Sequence, residues 1–221
     1  QTLLGLKETP VRIELFDNSH LQGSSPVGAM VCYLNGSPCK KMYRKFHLEE
    51  EDAGDDYASM REVVFRRYSR LKEEGASYPD LILADGGLPQ VHATLEGLGK
   101  AGVEIPVYGL YKNGKHQTEG LVDKEGKTYP LDRKSSLFFL LMRMQDEVHR
   151  FAISFHIQQR SKKMTSSLFQ TLPGVGPKRR ELLESHYPSL DALLSSSVEE
   201  LSQILPKASA EELYRRLHAK K

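Results

Sequence analysis

The sequence predicts an α/β fold, with a mixed five-stranded sheet flanked by helices and a small all-α domain after it. Two observations support this prediction. Short apolar runs of strand type alternate with helical apolar spacing over the first 156 residues, and only short helical segments follow. The composition, 39% hydrophobic and 27% charged, is that of a globular protein with a core.

The larger part begins with three antiparallel strands. They are predicted over 11–16, 27–34 and 39–47, and Asn35-Gly36 is a strong hairpin signal between the last two. A helix follows that Asp55 or Asp56 can cap, and its predicted end is at 74. The remaining elements are a strand over 81–84, a helix over 89–100, a strand over 107–111, an exposed hairpin over 118–132 and a long helix over 135–159.

This order of elements resembles that of the ribonuclease H-like fold. In that fold, three antiparallel strands precede alternating helices and strands, and the first and fourth strands are adjacent and parallel. The likeness implies that residues at the ends of these two strands lie at the same edge of the sheet.

The C-terminal part differs in composition. Residues 157–168 are polar and predict a linker between domains at 1–156 and 169–221. Short helices are predicted over 165–170, 177–187, 190–194, 198–205 and 208–218. From residue 157 onward 11 Lys and Arg stand against 7 Asp and Glu, although the whole chain carries only +2. A basic tail of this kind is compatible with nucleic acid.

The cysteines and the lack of long apolar runs indicate a cytoplasmic protein without a membrane segment. Cys32 and Cys39 flank a turn at unequal distances, so we expect free thiols that do not face each other. No apolar run approaches the ~20 residues of a membrane span, and no signal peptide is visible. The chain begins without methionine in a folded-type segment, so we expect a piece of a longer protein.

Two aspartates end apolar strands. Asp17 follows Leu15-Phe16, and Asp85 follows the strand at 81–84. Either residue alone is explained by capping of a turn. At neighbouring strands of the implied topology, however, the two carboxylates would offer oxygen ligands to Mg²⁺ or Mn²⁺. Metal-assisted phosphodiester hydrolysis is the reaction that such a site suggests.

Three further residues are candidates for this site. His149, late in the long helix, is either a packed residue or a third ligand and proton carrier, with Asp146 to orient it. Asp56 is explained by a place in the first turn of its helix, and a supporting role at the site is the weaker alternative. Lys112 ends a buried strand and is either solvated or aimed at the substrate phosphate.

A glycine-containing turn predicts DNA-backbone binding in the C-terminal part. Gly174 and Gly176 lie between two helices, where backbone N–H groups can hold a phosphate oxygen, and Lys178 and Arg179 add positive charge. The alternative is a plain helical corner. A second turn at 205–208 has no glycine, so we expect it to pack rather than to bind phosphate strongly.

Together these segments resemble the C-terminal half of the bacterial UvrC excinuclease family. The matching segments cover nearly the whole chain in order: FDNSH at 16–20, DYASMRE at 56–62, DLILADGG at 80–87, DEVHRFA at 146–152 and LPGVGPKRR at 172–180. Leu88-Pro89 and Tyr111 depart from the family's usual residues beside the site.

The resemblance implies a ribonuclease H-like endonuclease domain joined to a tandem helix-hairpin-helix domain. Such a protein makes the 5′ incision in damaged double-stranded DNA during nucleotide excision repair. The family's Asp-Asp-His triad maps onto Asp17, Asp85 and His149, with Asp56 and Lys112 in supporting roles. A UvrB–DNA complex is the implied partner of the full-length protein. We expect the present chain to be monomeric and not to carry both incisions by itself.

Two alternatives stay open from the residues alone. One is a non-catalytic DNA-binding scaffold in which the aspartates only shape turns, and metal dependence discriminates it. The other is a nuclease for a junction or an RNA–DNA hybrid, which substrate competition would reveal.

Overall fold

The computed structural model describes residues 1–19, 27–48, 55–170, 175–187 and 190–218. The chain divides into two compact units, Gln1–His156 and Ile157–Lys221. The larger unit contains a mixed sheet with helices, and the described residues of the smaller unit form helices joined by short turns, with no strand among them. The predicted class, α/β followed by an all-α part, is confirmed.

Within the described residues the sheet has eight strands rather than the predicted five. They are β1 (Arg12–Ser19), β2 (Val27–Leu34), β3 (Ser37–Pro38), β4 (Arg44–His47), β5 (Leu81–Ala84), β6 (Val107–Lys112), β7 (Thr118–Val122) and β8 (Thr128–Pro130), in the order β3-β2-β1-β5-β6-β7-β8 with β4 also on β2. Two of the three additional strands are β7 and β8, the predicted hairpin, which joins the sheet through β6, and the third is the short β3. The third predicted strand is also reduced to β4, since Lys40–Met42 forms a short 3-10 helix.

The central strands have the predicted directions. β1 pairs antiparallel with β2 and parallel with β5, with Phe16 opposite Ala84. The backbone N–H of Asp85 donates to the carbonyl of Phe16 at 2.8 Å, which continues this ladder one residue beyond β5. All four residues of β5 are buried, as its apolar sequence requires for a strand covered on both faces.

Helices cover both faces of the sheet. Asp55, and not Asp56, caps α1 (Asp56–Glu73) by accepting the N–H groups of Tyr57 and Ala58. α1 packs against α2 (Leu88–Ala101), where a side chain on Gly97 would lie 2.5 Å from the carbonyl oxygen of Arg61. α1 contacts the face of β1 that carries Phe16, whereas α3 contacts the opposite face, which carries Asp17.

The third helix runs further than predicted. α3 (Ser136–Gln170) includes residues 157–168, which the sequence analysis assigned to a linker, and the short helix predicted at 165–170. The segment contains no proline or glycine and is rich in Gln, Lys, Arg, Met and Ser, most of which are good helix formers. Its polarity therefore does not interrupt the helix.

A buried charged cluster lies between β1 and α1. The Glu14 side chain is 0% exposed and accepts from Arg12 at 2.5 Å, from Arg67 at 2.9 Å and from the Tyr68 hydroxyl at 2.7 Å. The charge of Arg67 and these hydrogen bonds outweigh burial and lower the pKa of Glu14. Glu14 is therefore ionised at neutral pH, as a buried carboxylate with three donors should be.

The cysteines correct one expectation. The turn consists of Asn35 and Gly36 alone, so Cys32 and Cys39 are equally distant from it and lie opposite each other across the hairpin. The N–H of Cys39 donates to the carbonyl of Cys32 at 2.8 Å. Both thiols are free, as predicted.

The smaller unit has its own core. Its further helices are α4 (Pro177–His186), α5 (Leu190–Leu194), α6 (Val198–Ile204) and α7 (Lys207–His218). Leu205, in the turn without glycine, is buried with the leucines of this core, in keeping with the packing role predicted for that turn. Among the described residues of both units, no helix combines the length and apolarity that crossing a bilayer requires.

Candidate metal centre

Three side chains from distant parts of the sequence converge at one edge of the sheet. They are Asp17, Asp85 and His149, and their ligand-type atoms all lie within 4.8 Å of one another. The Nε2 atom of His149 lies 2.6 Å from Oδ2 of Asp85 and 3.8 Å from Oδ2 of Asp17. The Asp17 and Asp85 side chains are 10% and 2% exposed, whereas the histidine ring is partly open to solvent.

The neighbouring strands place the two aspartates. Asp85 follows β5 directly, as predicted, but β1 continues past Asp17 to Ser19 because β2 pairs with it that far. Asp17 thus lies within a strand, at the level where its parallel neighbour ends. Gly109 of β6 supports the turn after Asp85, since a Cβ there would lie 2.4 Å from the carbonyl oxygen of Gly86.

The two carboxylates differ in their affinity for protons. Burial and the neighbouring charge of Asp85 raise the pKa of Asp17 to about 6. Burial also opposes ionisation of Asp85, but a hydrogen bond from His149 and the charge of Lys112 outweigh it and lower its pKa. The bond to Asp85 raises the pKa of His149 against the effect of burial. The site therefore favours a positive charge between the two acids.

Lys112 joins this group from the end of β6. Its Nζ atom lies 3.2 Å from Oδ1 and 3.4 Å from Oδ2 of Asp85. The lysine is partly exposed, so its ammonium group both pairs with Asp85 and faces the solvent beside the site.

Two residues at the site were not predicted. Gln145 donates from Nε2 to Oδ1 of Asp85 at 2.5 Å, and its Oε1 accepts from the hydroxyl of Thr118 at 2.9 Å. The spacing of Gln145 and His149, one helical turn apart, was a usable signal that both face the same side of α3. Nothing in the sequence pairs Thr118 with Gln145.

Asp56 and Asp146 are less closely involved. Asp56 is exposed in the first turn of α1, and its charge is among those that raise the pKa of Asp17, but it does not belong to the converging triad. Asp146 is exposed on α3, and the described hydrogen bond of the His149 ring goes to Asp85 instead.

A cavity of about 340 Å³ opens beside the triad. Its basic side chains are Lys112, His116 and Arg133, and its apolar ones are Phe138 and Met142. The cavity also reaches Gln145 and His149, so a ligand in it would lie against the candidate metal centre. The carboxylate of Asp146 also lines the cavity, and the charges of Lys112 and Arg133 outnumber it. Cationic groups beside an aromatic wall suit a nucleotide of a nucleic-acid strand.

The predicted backbone-binding residues of the smaller unit lie at the start of α4. Gly176 is the N-cap, and Lys178 and Arg179 are exposed in the first turn. Gly174 lies outside the described residues.

The donor set fits a divalent cation. Two carboxylates and one imidazole nitrogen offer the oxygen and nitrogen ligands that Mg²⁺ and Mn²⁺ accept. The raised pKa of Asp17 agrees with this fit, because burial and the charge of Asp85 both disfavour a second ionised carboxylate, and a bound cation would favour it.

Comparison with known families gives two matches. A model described as the UvrC RNase H endonuclease domain matches residues 1–153. A second, described as a SAM-like helix-hairpin-helix tandem, matches residues 166–219.

Among curated proteins, the chain is similar to streptococcal proteins named UvrABC system protein C. It is 52% identical to that of Streptococcus equi subsp. zooepidemicus (strain MGCS10565), over 99% of this chain and 37% of the relative. For Streptococcus pyogenes serotype M5 (strain Manfredo) the identity is 49%, over 97% of this chain and 36% of the relative. The chain thus spans little more than a third of these relatives.

Among solved structures, endonuclease V of Ciona intestinalis bound to a 23mer DNA matches 47% of this chain and 46% of its own. The TM-score is 0.35 and the identity 15%.

Proposed function

The chain belongs to the family of UvrC RNase H endonuclease domains, and we propose that it is a divalent-metal-dependent DNA endonuclease that makes the 5′ incision at damaged duplex DNA in nucleotide excision repair. The observation that carries the proposal is the convergence of Asp17, Asp85 and His149 at one sheet edge. The relatives' name suggests the repair pathway. A UvrB–DNA complex as partner of the longer protein and a cytoplasmic location are parts of the same proposal.

The proposed roles follow from the positions of the side chains. Asp17 and Asp85 would hold Mg²⁺ or Mn²⁺ through carboxylate oxygens, and His149 would complete the site through Nε2. The bound cation would polarise the scissile phosphodiester and lower the pKa of an attacking water. Lys112 faces the same position and would stabilise negative charge that develops on the phosphate.

The proton and the cation compete for the same atoms. When the His149 ring is charged, its Nε2 atom carries a proton and donates it to Asp85 in a hydrogen bond. Nε2 can bind a cation only in the neutral ring, after that proton has left. Asp17, with a pKa of about 6, must also be ionised. Metal binding therefore releases protons and strengthens as the pH rises from 5 to 8.

The smaller unit supplies affinity for the duplex in this proposal. The N–H groups at the start of α4 and the exposed Lys178 and Arg179 suit contacts to phosphate oxygens. Such contacts carry no sequence preference, as expected for an enzyme that other proteins direct to damage. Asp56 supports the site by the effect of its charge on Asp17.

The test is nicking of supercoiled plasmid by the 221-residue chain in Mn²⁺, with Asp85→Asn and a metal-free reaction alongside. Asp132→Asn is the matched control, because the exposed Asp132 accepts a backbone hydrogen bond that asparagine can also accept. We expect cutting that requires Mn²⁺, is lost in Asp85→Asn and persists in Asp132→Asn.

Undiminished cutting by Asp85→Asn would refute the assignment of the site. DNA binding without cutting, and without any effect of Mn²⁺ on the protein, would instead favour the scaffold.

A further inference from the structure

We propose that Thr118 and Gln145 form a positioning pair, which fixes the Asp85 carboxylate in the orientation that binds the cation. The inference rests on the proposed function, because it takes Asp85 as a metal ligand. The two residues act through Asp85 and are not ligands themselves.

The pair forms a short buried chain of hydrogen bonds. The hydroxyl of Thr118 donates to Oε1 of Gln145 at 2.9 Å, and Nε2 of Gln145 donates to Oδ1 of Asp85 at 2.5 Å. Thr118 is 6% and Gln145 is 7% exposed. Both side chains are almost entirely buried, although the cavity beside the triad borders them, so the geometry of one group constrains the next.

The chemistry of the donors and acceptors gives this chain a direction. An ionised carboxylate only accepts hydrogen bonds, so the NH₂ group of Gln145 must face Asp85. Its carbonyl oxygen then faces Thr118, whose hydroxyl must be the donor. With the amide reversed, its oxygen would meet a carboxylate oxygen. The carboxylate therefore selects the orientation of the amide, and Thr118 holds the amide in that orientation by donating to its oxygen.

As a consequence, Gln145 and His149 contact different oxygens of the Asp85 carboxylate. Oδ1 receives Gln145 at 2.5 Å, and the ammonium of Lys112 lies 3.2 Å from Oδ1 and 3.4 Å from Oδ2. Oδ2 faces Nε2 of His149, on the side where the triad converges. An amide holds the carboxylate without placing a further positive charge beside a cation.

The elements that carry the pair explain how it can act as a support. Thr118 is the first residue of β7, and Gln145 lies one turn before His149 on α3. The hydrogen bonds thus tie the helix that carries the histidine to the sheet that carries the aspartate.

The test measures Mn²⁺ binding to the 221-residue chain by isothermal titration calorimetry. Thr118→Val removes the hydroxyl and keeps the shape, Thr118→Ser keeps the donor, and Thr128→Val is a matched control at an exposed strand position. We expect Thr118→Val to weaken Mn²⁺ binding by about 10- to 100-fold, as loss of supporting hydrogen bonds around metal ligands does. The serine and control variants should bind like the parent chain, and nicking should follow the same order.

Melting curves in EDTA verify that each variant is folded, and Gln145→Met tests the same chain of bonds if Thr118→Val is unstable. Parent-like Mn²⁺ affinity in the folded valine or methionine variant would overturn the proposal. So would an equal loss in Thr118→Ser.

The proposed function can fail separately. If the parent binds Mn²⁺ but cuts no DNA, the endonuclease is refuted while the binding comparison still decides the role of the pair. If the parent binds no Mn²⁺, Asp85 is not a ligand and both proposals fall.

Discussion

Replacing Asp17 with asparagine should stabilise the metal-free protein at alkaline pH. The pKa of Asp17 is raised from its ordinary 3.8 to about 6 by burial and by the charge of Asp85. At about 1.4 kcal/mol for each pKa unit, ionisation of this group opposes folding by about 3 kcal/mol. Because the folded-state pKa is the higher one, the opposition is absent below pH 4, grows between pH 4 and 6 and is complete above pH 7.

The assay is urea unfolding in EDTA, followed by circular dichroism at pH 4 and at pH 8. Asp17→Asn should unfold with nearly the parent's free energy at pH 4 and with about 3 kcal/mol more at pH 8. Asp132→Asn, at an exposed acid, should show no such gain. Adding Mn²⁺ should then stabilise the parent and not Asp17→Asn, since the cation binds the ionised carboxylate.

A variant that is no more stable than the parent at pH 8 would refute the reasoning. It would mean that the charges of His149 and Lys112 already compensate both carboxylates, so that ionisation of Asp17 does not oppose folding.

Three further predictions concern packing, buried charge and DNA. In a urea titration, Gly97→Ala should lower the free energy of unfolding by about 1–3 kcal/mol, because the added methyl group meets the backbone of α1. Gly99→Ala is the control: a methyl group there has open space, so the free energy of unfolding should stay the same or rise by up to ~1 kcal/mol. Glu14→Gln should destabilise by about 3–5 kcal/mol by leaving its arginine partners uncompensated in the core, and a change under ~1 kcal/mol would contradict an ion pair of that importance. Replacing Lys178 and Arg179 with alanine should weaken duplex binding and reduce the slope of log K against log salt by about 0.9 for each lost phosphate contact, and an unchanged slope in fluorescence anisotropy would exclude them from the interface.

The sequence predicts the central topology well because burial leaves a strong local pattern there. The residues of β5 are apolar on both faces of the sheet. An acid directly after such a strand therefore lies at the edge of the sheet where the strand ends. The order of elements, through its resemblance to the ribonuclease H-like fold, implies that the first strand is the parallel neighbour of β5. The parallel pairing of β1 with β5 confirms this prediction. The convergence of Asp17 with Asp85 follows from that register.

The features that the sequence did not predict depend on partners that are distant along the chain. Thr118 and Gln145 meet only because β7 and α3 pack together, and neither residue type is unusual at its position. The predicted end of the long helix at 159 is wrong because polar residues do not end a helix, and the segment up to Gln170 contains no proline or glycine. The equal spacing of Cys32 and Cys39 was missed because the turn is two residues long.

The distribution of the triad along the chain has a consequence for the timing of synthesis. Asp17 stands on the first strand, Asp85 follows the fifth, and His149 lies close to the end of the larger unit at His156. A nascent or prematurely ended chain can carry both acids and still lack the histidine of the triad. Since a domain folds as a unit as it leaves the ribosome, the three side chains come together only when nearly all of the larger unit has been made.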